Sequence, residues 1–237
     1  MKQLHIYLFF ISILTSCLSF SQEEEKQLTA KDTLPPGEKY GLRVGVDIAR
    51  IIRSSVEDKY SGFEIVGDYR ISNKFFVAAE IGNESLIRDE ENINVEGSGS
   101  YIRAGIDYNT YGNWYGMQNS IYVGLRYGYS RFDQTLNDYI IFTGTDYFGE
   151  NEIIEPVTRD GLNASWIELV LGIKAELFKN IYLGANVSLR NMVSEKKPEG
   201  FDNLYIPGFG RTNDFSQIGV GYGYNISYLI PLYKRKR

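Results

Sequence analysis

The sequence predicts an all-β fold: an eight-stranded antiparallel up-and-down transmembrane β-barrel with a plugged, polar lumen. Three observations predict it. The first is the last strand, Ser216 to Tyr233. Ile218, Val220, Tyr222, Tyr224, Ile226, Tyr228, Ile230 and Leu232 line one face, and Gln217, Gly219, Gly221, Gly223, Asn225 and Ser227 line the other. Period-two alternation runs here well past the ~4–8 residues of a soluble strand, and a transmembrane strand needs ~9–11. The second observation is that seven earlier segments alternate in the same way. The third is that their connections alternate between short and long, the pattern of outer-membrane barrels.

Length and composition agree. The chain has 237 residues, 24 Gly, 19 Tyr and 13 Phe, a mixture suited to a β-rich protein with aromatic belts. A net charge of −5 leaves no electrostatic footprint for nucleic acid. One Cys and one His rule out a disulfide framework within the monomer.

In chain order, residues 1–21 read as a secretory signal: Lys2 is the positive start, Ile6 to Leu14 the short apolar core, and Ser19-Phe20-Ser21 the cleavage region. Leu14-Thr15-Ser16-Cys17 also resembles a lipobox that would acylate Cys17; ordinary cleavage is the favoured reading. It removes His5 and Cys17, the only residues of their kinds. Residues 22–39 are polar, charged and broken by Pro35-Pro36, and read as a disordered periplasmic lead-in. The barrel domain is residues 40–237. Its strands are expected at Leu42–Ile52, Tyr60–Ile71, Lys74–Glu84, Ser100–Tyr108, Asn119–Arg131, Ala164–Leu177, Ile181–Arg190 and Ser216–Tyr233. Ser72-Asn73, Asn109–Gln118 and Phe178–Asn180 form the shorter connections. Arg53–Lys59, Ser85–Gly99, Phe132–Asn163 and Asn191–Phe215 form the loops at the other end. Unstructured loops of such length count against a compact soluble domain.

Charge decides which face points inward. The mixed face carries Arg43, Asp47, Glu64, Asp68, Arg70, Glu80, Arg103, Asp107, Arg126, Glu168, Lys174, Glu176 and Arg190. One Lys or Arg facing lipid at the midplane costs ~2–4 kcal/mol. Several would exceed a folding free energy of ~5–15 kcal/mol. This face therefore lines the lumen as a charge network. The reverse arrangement, a lipocalin-like soluble barrel, would send eight large apolar groups inward from the last strand alone. An eight-stranded barrel has no room for them and those of seven more strands. Glycines and balanced charges fill a narrow lumen better, and the charges can pair.

Tyr40-Gly41-Leu42-Arg43-Val44-Gly45-Val46-Asp47 and Gly62-Phe63-Glu64-Ile65-Val66-Gly67-Asp68-Tyr69-Arg70 resemble the opening hairpin of an uncharacterised, domain-of-unknown-function family of outer-membrane barrels common in Bacteroidetes. The resemblance extends over the mature chain. It implies a fold and an outer-membrane location but no assigned activity; alternation and loop lengths place both termini in the periplasm. The architecture is also similar to the OmpA-like transmembrane domain, without a peptidoglycan-binding domain after the last strand. The chain departs from the usual aromatic end of such barrels: Tyr233 is followed by Lys234-Arg235-Lys236-Arg237, read as a solvated tail that snorkels to the interface.

Catalysis is not expected. Membrane-barrel enzymes resemble one another in using a catalytic His, and the mature chain has none, so Ser-His-Asp and Cys-His chemistry is closed to it. A carboxylate pair could hydrolyse glycosides, but the lumenal acids have basic company. No phosphate loop, dinucleotide fingerprint or Cys/His metal motif is present, and no cofactor or metal is expected. The acidic clusters Asp89-Glu90-Glu91 and Glu150-Asn151-Glu152 lack calcium-loop spacing and read as solvated.

The barrel wall answers to lipid and the lumen to charge, which leaves the loops free for function. The expected function is a non-enzymatic structural or accessory subunit in contact with outer-membrane lipid. It would dock another outer-membrane or cell-surface protein through Tyr139, Ile140, Phe142, Tyr147, Phe148, Phe201, Tyr205 and Phe209. The alternatives are a small pore or ligand carrier and, less favoured, a membrane-barrel enzyme.

Overall fold

The structure, a computed structural model, describes residues 38–90, 92–112, 118–141, 151–153, 156–198, 200–212 and 216–235. The signal segment, the lead-in up to residue 37, Phe142, Tyr147, Phe148, Glu150 and the last two tail residues lie outside them.

Eight antiparallel strands close into a ring. They are β1 (Glu38–Asp47), β2 (Tyr60–Arg70), β3 (Phe75–Glu90), β4 (Ile93–Asn109), β5 (Ser120–Ile141), β7 (Val157–Phe178), β8 (Ile181–Glu195) and β11 (Ile218–Arg235). Each pairs with its neighbour along the chain, and β1 pairs with β11 to close the wall. The short β6 (Asn151–Ile153) adds to the far end of β5. A two-stranded hairpin, β9 (Tyr205–Ile206) and β10 (Gly210–Arg211), interrupts the connection from β8 to β11. Two of the turns at one end, β2 to β3 and β7 to β8, are tight. Asn180, with φ 67°, takes the left-handed conformation that the two-residue turn from β7 to β8 requires.

Alternation orients the wall as charge requires. On β5, Ile121, Val123, Leu125, Tyr127 and Tyr129 are exposed, while Tyr122, Gly124, Arg126, Gly128 and Ser130 face inward. The other strands repeat this, giving a continuous apolar exterior. Phe75 and Tyr108 meet at a tilt near the short-turn end, with ring centroids 5.2 Å apart. Tyr222 and Tyr224 sit towards the other end. Aromatic rings at both margins of an apolar belt are the pattern of a barrel in a bilayer. Past Ile81, Ile102 and Tyr129 the outward positions become polar: Asn83, Ser100 and Arg131. Asn83 donates to Ser100 across the strand pair at 3.0 Å.

Two expectations are corrected. The loops Ser85–Gly99 and Phe132–Asn163 are largely strand: β3, β4, β5 and β7 run on beyond the belt, and β5 alone has 22 residues. At ~3.4 Å per residue it extends ~75 Å, far beyond the ~9–11 residues a membrane needs. Inward positions change from polar to apolar there. Leu86, Val95, Phe132, Leu136 and Leu162 are buried, giving the extensions a core of their own.

The second correction concerns the first segment. The strand expected over Leu42–Ile52 stops at Asp47, and β1 begins at Glu38, inside the expected lead-in. From Ile48 to Val56 the chain is a helix, α1. Asp47 caps it, accepting from the amides of Ala49 at 2.8 Å and Arg50 at 3.2 Å. Ile48, Ile51, Ile52 and Val56 fall at helical spacing on one face, with Arg50 and Arg53 on the other.

Because β1 ends early, it pairs with β2 only from Leu42 to Val46, opposite Ile65 to Tyr69. On β11 it reaches no further than Asn225. The edges of β2 from Tyr60 to Glu64 and of β11 from Ile218 to Tyr224 therefore have no strand between them. α1 stands in that gap and packs on both edges. The Ser54 hydroxyl receives a hydrogen bond from the Gly62 amide (2.7 Å) and shares its own proton between the Arg50 (2.9 Å) and Gly62 (3.1 Å) carbonyls, so a side chain takes the place of the missing strand at Gly62.

Candidate functional site: the charged lumen and its mouth

The inward side chains form one connected ladder of ion pairs. From the short-turn end, Arg43 pairs with Asp68 at 2.7 Å, and Lys174 bridges Asp68 (2.6 Å) and Asp107 (3.9 Å). Arg126 joins Asp107 (3.2 Å) to Glu80. Arg103 touches Glu80 at 2.6 Å, Glu64 at 2.5 Å and Glu168 at 3.5 Å. Arg190 reaches Glu168 at 2.9 Å, and Arg50 joins Glu64 (3.1 Å) to Glu84. Every wall strand except β11 supplies a member. Among these side chains each cation has a carboxylate and each carboxylate a cation, as burial demands.

Ten of the thirteen sequence-predicted lumenal charges belong to this ladder. Asp47 is also buried, but it serves as the α1 cap. Arg70 and Glu176 lie at the short-turn end. Arg70 donates to the Ser72 carbonyl and stacks over Tyr40, and Glu176 pairs with Lys39 at 3.4 Å. Sequence reading missed Arg50 and Glu84. Glu84 lies in phase with Glu80 on an inward face, and Arg50 follows from the helical spacing after Asp47. Either pattern could have found them.

Above the ladder the lumen is closed by the connection between β8 and β11. Ile206 and Phe209 are buried there among Tyr101, Phe132, Leu162, Trp166 and Met192, and Tyr205 is buried with Tyr60 and Leu86. Trp166 and Phe209 meet edge to face with centroids 5.7 Å apart. Glycine makes room in two places. A Cβ at Gly128 would lie 2.2 Å from the Trp166 ring, and one at Gly208 (φ 81°) 2.4 Å from the Tyr101 ring. Polar contacts fasten this plug. Glu84 accepts from the Tyr60 hydroxyl (2.8 Å), the Tyr205 hydroxyl (3.0 Å) and the Gly208 amide (2.8 Å). Arg190 donates to the Phe209 carbonyl at 2.8 Å, and Gln134 is tied to Asp202 and Leu204. Burial pushes the Tyr205 phenol up to about 12, so it remains a donor to Glu84 at neutral pH.

The partner-binding expectation for Tyr205 and Phe209 is therefore corrected: both rings point into the barrel and fill it. Phe201 is half-buried at the start of the plug. Tyr139 and Ile140 are half-buried in the far end of β5, paired with β4 and β6 rather than free in a loop.

Between α1 and the open edge of β11 the wall holds a cavity of about 150 Å³. Inward-facing Gly221 lines it, and so do outward-facing Val220 and Tyr222, so it draws on both faces of the wall. Arg50, Arg53, Arg190 and Arg211 lie around it against a single carboxylate, Glu84.

A family model for a domain of unknown function (DUF6048) matches residues 4–235. No curated protein matches the chain. Among solved structures it is similar to Ail, the attachment invasion locus protein of Yersinia pestis, at 10% identity and a TM-score of 0.41, over 82% of this chain and 98% of that one.

Proposed function

From the premise that the chain belongs to the DUF6048 family, we propose that it is a non-enzymatic, non-conducting barrel of the outer membrane that docks a surface component through its projecting strands. The observation that carries this reading is the contrast between wall and lumen. The wall is apolar enough to need lipid, while among the described residues the lumen is filled by the ladder and the plug. A filled barrel is an anchor rather than a pore. What it anchors is the sheet formed where β3, β4, β5 and β7 overrun the belt, with Tyr139 and Ile140 near the end of β5. The lumenal carboxylates, each held by a cation, favour a structural role over acid–base catalysis.

Replacing residues 139–156 with a short Gly/Ser linker tests the docking role. The barrel should keep its heat-modifiable gel mobility and lose its co-purifying surface component. If the trimmed protein retains every partner, docking through these strands is wrong.

A further inference from the structure

We propose that the opening between α1 and β11 is a lateral binding site for the headgroup of an anionic phospholipid whose acyl chains remain outside the barrel. The inference rests on the membrane-inserted reading above, but not on docking.

Three observations converge. The first is the open edge of β11 from Ile218 to Tyr224, which β1 does not reach. An unpaired strand edge at membrane depth is tolerated only where it is buried in protein or lines a polar cavity. β2 has Ser54 to satisfy its edge at Gly62. At β11 the corresponding space is the cavity itself.

The second is charge. Four guanidinium groups and one carboxylate surround the opening. Arg50 and Arg190 belong to the ladder; their Nε atoms are buried and lie near Glu64 and Glu168 without hydrogen-bond alignment. Arg211 is exposed; Arg53 is half-buried, lies over the Tyr60 ring at 3.9 Å and is paired at the rim with Glu57 at 2.8 Å, an exposed ion pair that a phosphate can replace. A planar fork of this kind matches phosphate oxygens.

The third is what flanks the mouth. Ile52 and Val56 of α1 are 60% and 76% exposed, and Val220 and Tyr222 of β11 are 75% and 65% exposed. A basic recess between two apolar margins suits an amphiphile that presents its charge inward and its chains along the wall. The cavity falls below the ~300–1,000 Å³ of a drug-sized ligand pocket, so it accepts a headgroup and excludes the chains.

The test uses the full chain reconstituted into phosphatidylcholine vesicles containing a minority of phosphatidylglycerol. Flotation with the vesicles reports insertion separately from binding. Native mass spectrometry of the detergent-released protein should show one retained phosphatidylglycerol in preference to phosphatidylcholine. Arg53→Gln with Arg211→Gln should reduce that retention about tenfold or more, the loss expected for two guanidinium contacts near a lipid surface. Arg211→Gln alone carries the test if the double variant does not fold by gel mobility. Equal retention of the two lipids, or retention unchanged in the folded variant, overturns the site. Displacement of the lipid by an equal concentration of inorganic phosphate would make it a free-phosphate site and overturn the lipid assignment. Failure to float would overturn the membrane reading first.

Discussion

At the scale of the residue, Arg103 is the junction of the lumen. It contacts three carboxylates contributed by β2, β3 and β7, so its removal leaves the buried network one positive charge short, although Glu64, Glu80 and Glu168 keep Arg50, Arg126 and Arg190. Breaking a buried pair on one side costs ~3–5 kcal/mol, because the remaining charge is desolvated and uncompensated. Arg103→Met should lower stability by about that much, read from the urea midpoint of the heat-modifiable band. Leu125→Ala, at a wall position 60% exposed to the exterior, should cost clearly less. Equal costs would mean that the ladder contributes no more than the surface. Asp47 acts differently. Its neighbours Arg43 and Gly45 are inward positions of a strand, yet its carboxylate turns the chain into a helix by accepting two amide protons. Asp47→Ala should cost about 1 kcal/mol, the usual loss of an N-cap. It should also expose Arg50 and Arg53 to trypsin in the folded, detergent-solubilised protein, and unchanged resistance would argue that packing alone holds α1.

At the scale of the element, two pieces do the closing. α1 completes the wall where β1 stops, and the β9–β10 connection fills the mouth. The two meet at Glu84, which holds Arg50 from the helix and the Tyr205 hydroxyl and Gly208 amide from the plug. The mouth is therefore sealed by segments that belong to connections, while the membrane portion is sealed by the strands themselves. This layering gives a directional expectation. Replacing residues 203–211 with a Gly/Ser linker removes the upper seal and leaves the pairs from Arg43 to Arg103 in place below. In planar bilayers both the wild type and this variant should show no steady conductance. A stable ohmic pore in the linker variant would place the barrier in the plug; one in the wild type would overturn the filled barrel altogether.

At the scale of the whole molecule, the apolar belt and the overrunning strands define two ends. A cysteine introduced at Asn92, the exposed tip between β3 and β4, should react with an impermeant maleimide on intact cells. One introduced at Lys179, in the turn from β7 to β8, should react only after the outer membrane is permeabilised. The reverse result would invert the barrel and move the overrunning strands to the periplasm.

The ring and its polarity were legible in the order of residues alone. Period-two alternation with charges on one face leaves a single arrangement that keeps Arg103, Arg126 and Lys174 out of lipid, and all three lie in the ladder. That order determined less at the boundary of the membrane, where the partner of each face changes. Along β5, Tyr129 faces out and Ser130 in; two residues later Arg131 faces out and Phe132 in. The strand keeps its phase while its apolar side changes from the exterior to the interior, so a reading that follows one apolar face ends the strand too soon. Ile48, Ile51, Ile52 and Val56 posed a related difficulty: Ile48 continues the alternation of β1, and the helical spacing becomes visible only over the next turn. The fate of Tyr205 and Phe209 depended on contacts between distant strands. Aromatic residues in a polar connection suit a partner's surface or the protein's own mouth equally well. The space beside Trp166 and the acceptors on Glu84, both brought there by distant strands, draw them inward.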